Sequence, residues 1–138
     1  MSKRRKAREI VLQVLYEAEF SDRSPREILD EQLAERGSKD DTTAFARLLL
    51  SHVTEHREEL DRRIAEAARN WDLKRISLID RNILRFAMAE VLFCPDVPTR
   101  VIINEAIEIA HKYSSSDAGR FVNGIMDVFA QKHRQDTA

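Results

Sequence analysis

Apolar residues recur every three or four positions from Ala7 to Phe129, and no segment alternates convincingly with period two. That single periodicity confines the chain to helices, because a half-buried strand needs alternation and a helix needs a stripe. Three glycines and three prolines in 138 residues are too few for the many turns of a sheet-rich fold. The expected fold is all-α: about seven helices in one domain spanning 1–138, in two packed helical-bundle halves of about 1–56 and 57–138.

The helices can be placed in order. Ala7, Ile10, Val11, Val14, Leu15 and Ala18 mark a first helix over about residues 4–20. Ser24-Pro25-Arg26-Glu27 reads as a capping box that opens a second, and Gly37 is placed to close it in the left-handed region. A polar loop over Ser38–Thr43 precedes a third helix with Ala44, Phe45, Leu48, Leu49, His52 and Val53 on its apolar face. A fourth carries Leu60, Ile64, Ala67, Ala68 and Trp71, and the pattern leaves open a break near His56–Glu59. Ser77 opens the fifth, and Pro95 stops it. The sixth follows Val97-Pro98-Thr99, and the seventh begins near Ser116-Asp117.

A net charge of -1 conceals a polar layout, since Lys3, Arg4, Arg5, Lys6 and Arg8 place five cations in the first eight residues. Cations at a helix N-terminus oppose the macrodipole, so the cluster costs local stability and points to another use. A phosphate backbone is one such use, and a solvated end that aids solubility is the other; spacing leaves both open. Readers of single-stranded RNA also need planar groups for unstacked bases. Tyr16 on the first helix and Phe121 on the last are candidates, with burial in the core as the plainer reading of each. Gln13 could bond a base edge or simply be a surface glutamine. In the loop Ser114–Arg120, Ser116 or Asp117 is placed to cap the last helix, whose N-terminus could also hold a phosphate. Gly124 inside that helix is read as a point of close helix–helix approach.

Other chemistry is sparse. The lone Cys94 excludes an internal disulfide and reads as a small buried apolar group. His52 and His56 have metal-ligand spacing but lack the glutamate of a zinc-protease motif, and no metal site is expected. No phosphate-binding glycine loop or nucleophile–base pair is present, so neither an enzyme nor a cofactor is expected. No apolar run approaches a membrane span, and the charged start leads into no signal-like stretch, so a cytoplasmic location is expected.

Several segments, in order, carry a resemblance. Arg4-Arg5-Lys6-Ala7-Arg8-Glu9 with Gln13-Val14-Leu15-Tyr16 resembles the arginine-rich first helix of the NusB family of transcription antitermination factors. Trp71, then Ile79-Asp80-Arg81-Asn82-Ile83-Leu84-Arg85 and Glu90, is similar to its central helix. Val97-Pro98 with Ile103-Asn104-Glu105-Ala106-Ile107-Glu108-Ile109-Ala110, and Phe121-Val122-Asn123-Gly124-Ile125-Met126-Asp127, resemble its two most distinctive stretches. The chain departs from the pattern at Ala89, where relatives often carry tyrosine, at Arg120, often lysine, and at Ser114–Ser116, where a glycine-containing loop is frequent.

The resemblance implies a NusB-like helical fold that binds the boxA segment of ribosomal RNA transcripts. It also implies a heterodimer with NusE, a ribosomal small-subunit protein, acting with other Nus factors on RNA polymerase. By position the RNA contacts fall on Arg4, Arg5, Lys6, Arg8, Tyr16, Asp117, Arg120 and Phe121, and the NusE-facing surface on Asp80, Arg81 and Leu84. A homodimer of the free protein is a further state the resemblance raises. The competing reading is a helical protein–protein adaptor without RNA binding.

Overall fold

A computed structural model describes residues 2–37, 40–69 and 76–134. Seven helices are described: α1 (Lys3–Glu19), α2 (Pro25–Arg36), α3 (Asp41–Glu55), α4 (Arg57–Ala67), α5 (Leu78–Phe93), α6 (Thr99–Tyr113) and α7 (Ala118–His133). No strand occurs among these residues. Trp71 and Ser38 lie outside the described residues.

Local chemistry sets most helix ends. The Ser2 hydroxyl accepts from Arg5 N at 3.0 Å and starts α1. Ser24 accepts from Glu27 N at 3.2 Å ahead of Pro25, while the Glu27 carboxylate takes the Ser24 hydroxyl instead of reaching back to its backbone. Gly37 closes α2 at φ 67°. α3 begins earlier than its apolar pattern implied, because the Asp40 carboxylate accepts from Thr42 N at 3.0 Å and extends the helix back through Asp41. His56 separates α3 from α4 and serves as a cap for both. Ser77 caps α5 by accepting from Asp80 N at 3.1 Å. The capping group of α7 departs from expectation: Ala118 N donates to both the hydroxyl and the carbonyl of Ser115, each at 3.2 Å, and Asp117 makes no side-chain cap bond.

α5 is the axis of the molecule. Every residue from Asn82 to Val91 is buried, so the helix has no solvent face through its middle. It packs on α1, α3, α4, α6 and α7, and one cluster of buried apolar side chains draws on all seven helices. Its polar groups must therefore find partners inside. Arg85 donates to both Asp61 oxygens at 2.7 and 3.2 Å and to Asn82 Oδ1 at 2.7 Å, with Glu19 at 3.6 Å.

The end of α5 is held from far along the chain. The Arg134 guanidinium donates to the carbonyls of Glu90, Val91, Cys94 and Val97 and to the Thr99 hydroxyl. A cation on the last carbonyls of a helix satisfies orphan acceptors and complements the dipole. It also fixes the turn from α5 into α6. Cys94 is buried in this turn, and burial pushes its thiol up to about 11, so it stays protonated.

Gly124 is not a packing glycine. No described atom stands within 4 Å of a Cβ placed on it, whereas one placed on Gly119 would meet His111 Nε2 at 2.1 Å. The close approach between α6 and α7 is therefore at Gly119, where the His111 ring lies over the backbone.

Candidate nucleic-acid interface

Four of the five cations in the first two turns of α1 face carboxylates on four other parts of the fold. Arg8 is only 1% exposed and donates from Nε and Nη2 to the two Glu90 oxygens, each at 2.7 Å. Burial pushes the Glu90 carboxyl above the usual carboxylate range, against the pull of the Arg8 guanidinium. Arg5 Nε bonds Glu105 on α6 at 2.5 Å, and the second Glu105 oxygen lies 3.8 Å from Arg8. Arg4 Nη1 stands 3.8 Å from Asp96 in the α5–α6 turn, and Lys3 Nζ is 3.5 Å from Asp40. Lys6 is exposed and makes no ion pair among the described residues.

This order sorts the arginines by what they can do. Arg8 is a buried anchor between α1 and α5, not a surface contact, and its assignment as an RNA residue is corrected on that ground. Arg4, Lys3 and Lys6 present their charge to solvent, with Arg5 half-buried between the two groups. Arg4 is also oriented: its guanidinium carbon sits 4.4 Å from the ring centre of Phe45, which is buried on α3 and lies 5.2 Å from the Arg8 guanidinium.

Further along the same helix, Glu9 ties α1 to α6. Its carboxylate accepts from Lys112 Nζ at 3.1 and 3.2 Å and from the Tyr113 hydroxyl at 3.0 Å. Burial pushes the Tyr113 hydroxyl up, and its bond to Glu9 adds to the shift. Gln13 Nε2 reaches the Tyr113 oxygen at 3.4 Å, so its amide is engaged within the protein. Tyr16 is 43% exposed and its ring lies 5.2 Å from that of Phe20, which is 72% exposed. These two rings, with Leu12, Gln13, Ile79 and Tyr113, line an open apolar groove of about 560 Å³.

The third group stands apart. Asp117, Arg120, Phe121 and Gly124 line a depression of about 480 Å³ that also touches Ala67 of α4. Asp117 and Arg120 are exposed and Phe121 is half-buried. Thus the structure joins Gln13 and Tyr16 in one groove and Arg4 and Arg8 on one ring. It places Asp117, Arg120 and Phe121 in a separate hollow at the start of α7.

The residues expected to face a protein partner also separate. Asp80 is in the first turn of α5, partly buried, and its Oδ1, itself buried, has no hydrogen-bond partner among the described residues. Arg81 donates from Nη2 to Ile76 O at 3.1 Å. Leu84 is fully buried in the core and offers no surface, which corrects its assignment as a partner contact.

His52 and His56 stack on Phe93, with ring centres 5.1 and 4.2 Å away, and no group of three metal-type ligands occurs among the described residues. No described helix is long and apolar enough to cross a membrane.

Sequence reading missed Phe45, Asp96, Glu105, Lys112 and Tyr113 as members of this surface. Their partners are tens of residues away in the chain, and one sequence carries no sign of such pairings. Phe20 had a signal, as it stands four residues after Tyr16 on the same helix face.

The geometry can be set beside known proteins. A sequence profile of the NusB family matches residues 5–131. The chain is 38% identical to the transcription antitermination protein NusB of Syntrophus aciditrophicus over 137 residues, covering 99% of this chain and 85% of that one. A crystal form of T. maritima NusB superposes with a TM-score of 0.87 at 39% identity, over 94% of this chain and 92% of the other. A structure of the antitermination factors NusB and NusE in complex with double-stranded RNA superposes with a TM-score of 0.85 at 27% identity, over 96% and 98%.

Proposed function

The chain belongs to the NusB family, and from that membership we propose that it is a transcription antitermination factor acting by assembly rather than by catalysis. It binds the boxA segment of nascent ribosomal RNA transcripts together with NusE, and with other Nus factors it helps build an antitermination complex on RNA polymerase. Its place of work is the cytoplasm, where the transcript emerges.

The observation that carries the reading is the exposed end of α1. Lys3, Arg4 and Lys6 project from a helix that the buried Arg8–Glu90 pair and the Glu9–Lys112 contact lock onto α5 and α6. Cations on a fixed frame lose little freedom on meeting phosphates, so charge is presented at low entropic cost. Tyr16 and, in the separate hollow, Phe121 offer ring faces to bases, with Arg120 beside Phe121 supplying a further cation. On the partner side Asp80 is the natural anchor for NusE. It stands in the first turn of α5, and the likeness of this stretch to the family's central helix is what supports that reading.

Filter binding of a single-stranded boxA RNA, with and without NusE, tests this directly. Retention of the RNA, strengthened by NusE, is the expected result. Its complete absence even with NusE present would favour the helical adaptor. Asp80→Asn should weaken association with NusE while leaving the helical content unchanged; undiminished NusE binding would remove Asp80 from the interface.

A further inference from the structure

The basic end of α1 is less basic than its sequence. Four of its five cations stand against the carboxylates of Asp40, Glu90, Asp96 and Glu105, and two of those pairs differ from the rest in kind. Arg8–Glu90 and Arg5–Glu105 are short and shielded, so they belong to the frame. Lys3–Asp40 and Arg4–Asp96 are long and open to water, and pairs of that type contribute little and exchange partners readily.

Between the first turn of α1 and the α5–α6 turn lies a cleft of about 540 Å³, lined by Lys3, Arg4, Asp96, Pro98, Val101 and Glu105 among others. Both of its walls are fixed. The Arg4 guanidinium carbon sits 4.4 Å from the centre of the buried Phe45 ring, which holds the cation at the mouth of the cleft. Arg134 holds the opposite wall through the carbonyls of Cys94 and Val97, on either side of Asp96. Asp96 itself is exposed, with a carboxylate oxygen 3.8 Å from Arg4 Nη1. A carboxylate and a phosphate present the same kind of oxygens to an arginine fork.

We propose that this cleft seats one backbone phosphate of the RNA, and that Asp96 is its resident competitor, setting affinity by occupying Arg4 until the phosphate displaces it. Asp40 plays the lesser part of the same role toward Lys3. The inference rests on the RNA-binding reading above.

The test measures affinity for the single-stranded boxA RNA, with NusE, of the full chain unaltered and in four variants. Asp96→Asn removes the competing charge and keeps the shape; it should tighten binding about two- to fivefold, the range that a released surface pair can return. Glu58→Gln, an exposed carboxylate on α4, is the control for general charge and should change affinity by less. In an Arg4→Ala background, Asp96→Asn should lose its effect, because there is no guanidinium left to release. Unchanged or weaker binding by Asp96→Asn overturns the inference, as does a gain that persists undiminished without Arg4. Both results leave RNA binding by the unaltered protein in place, so they are distinct from a failure of the parent reading, in which no form retains RNA.

Discussion

Taking away one member of the Arg8–Glu90 pair strands the other charge in a dry interior. Glu90→Gln or Arg8→Ala should therefore destabilise the fold by about 3–5 kcal/mol, measured by chemical denaturation, because an uncompensated buried charge costs more than the pair contributes. Replacing both by apolar residues of similar volume should cost far less, and a large loss in that double variant would count against this explanation. Arg4→Ala should leave stability within about 0.5 kcal/mol and act on RNA binding alone, as expected of an exposed side chain. In sequence the two arginines look alike, four residues apart on one helix. What separates them is position 90, reached only through the packing of α1 on α5, and no single-chain pattern announces that. The same holds for Leu84, whose neighbours on a helix buried all round left no polar stripe to show which face was hidden.

Within α7, the open space at Gly124 makes a direct test. Gly124→Ala should stabilise the protein by about 0.5–1 kcal/mol through helix propensity, since no described atom opposes the new methyl group. Destabilisation on thermal melting would restore the packing role first read from sequence. At the end of the same helix, His133 has its imidazole held below its usual range, first by burial and then by Arg63, whose Nη1 is 3.3 Å away. A base whose folded value is depressed contributes stability above its unfolded value of about 6.5 and loses it as pH falls. The protein should accordingly melt at lower temperature at pH 5.5 than at pH 7.5, and His133→Gln should flatten that dependence; an unaltered dependence would place its origin elsewhere. Arg134→Ala removes the donor to four carbonyls at the end of α5 and should cost about 2–3 kcal/mol by denaturation. Helix limits were legible where a capping residue adjoins an apolar stripe, as at Ser24, Gly37 and Ser77. The start of α3 was misread, and at α7 the limit was legible but the capping group was not, because several polar residues compete there and the pattern does not say which hydroxyl or carboxylate reaches the free N–H.

At the scale of the whole molecule, periodicity with its turn signals was enough for an all-helical chain with its helices in order, except for the break at His56 between α3 and α4, which the pattern left open. The order of motifs pointed to the family. The layout of the surface was not legible. The sequence suggested one composite RNA wall, whereas Asp117, Arg120 and Phe121 line their own hollow and α1 divides into an exposed tip and a buried anchor. The central claim is that the exposed cations of α1, and not the buried one, neutralise phosphates. The most direct measurement is the salt dependence of boxA binding by the protein with NusE, comparing the unaltered chain with Arg4→Ala/Lys6→Ala, which removes two exposed cations and leaves the Arg5–Glu105 pair intact. For a single strand each neutralised phosphate contributes about -0.7 to the slope of log K against log salt, so the double variant should lose about 1.4 of slope along with affinity. A slope that stays the same while the protein remains folded would contradict the account.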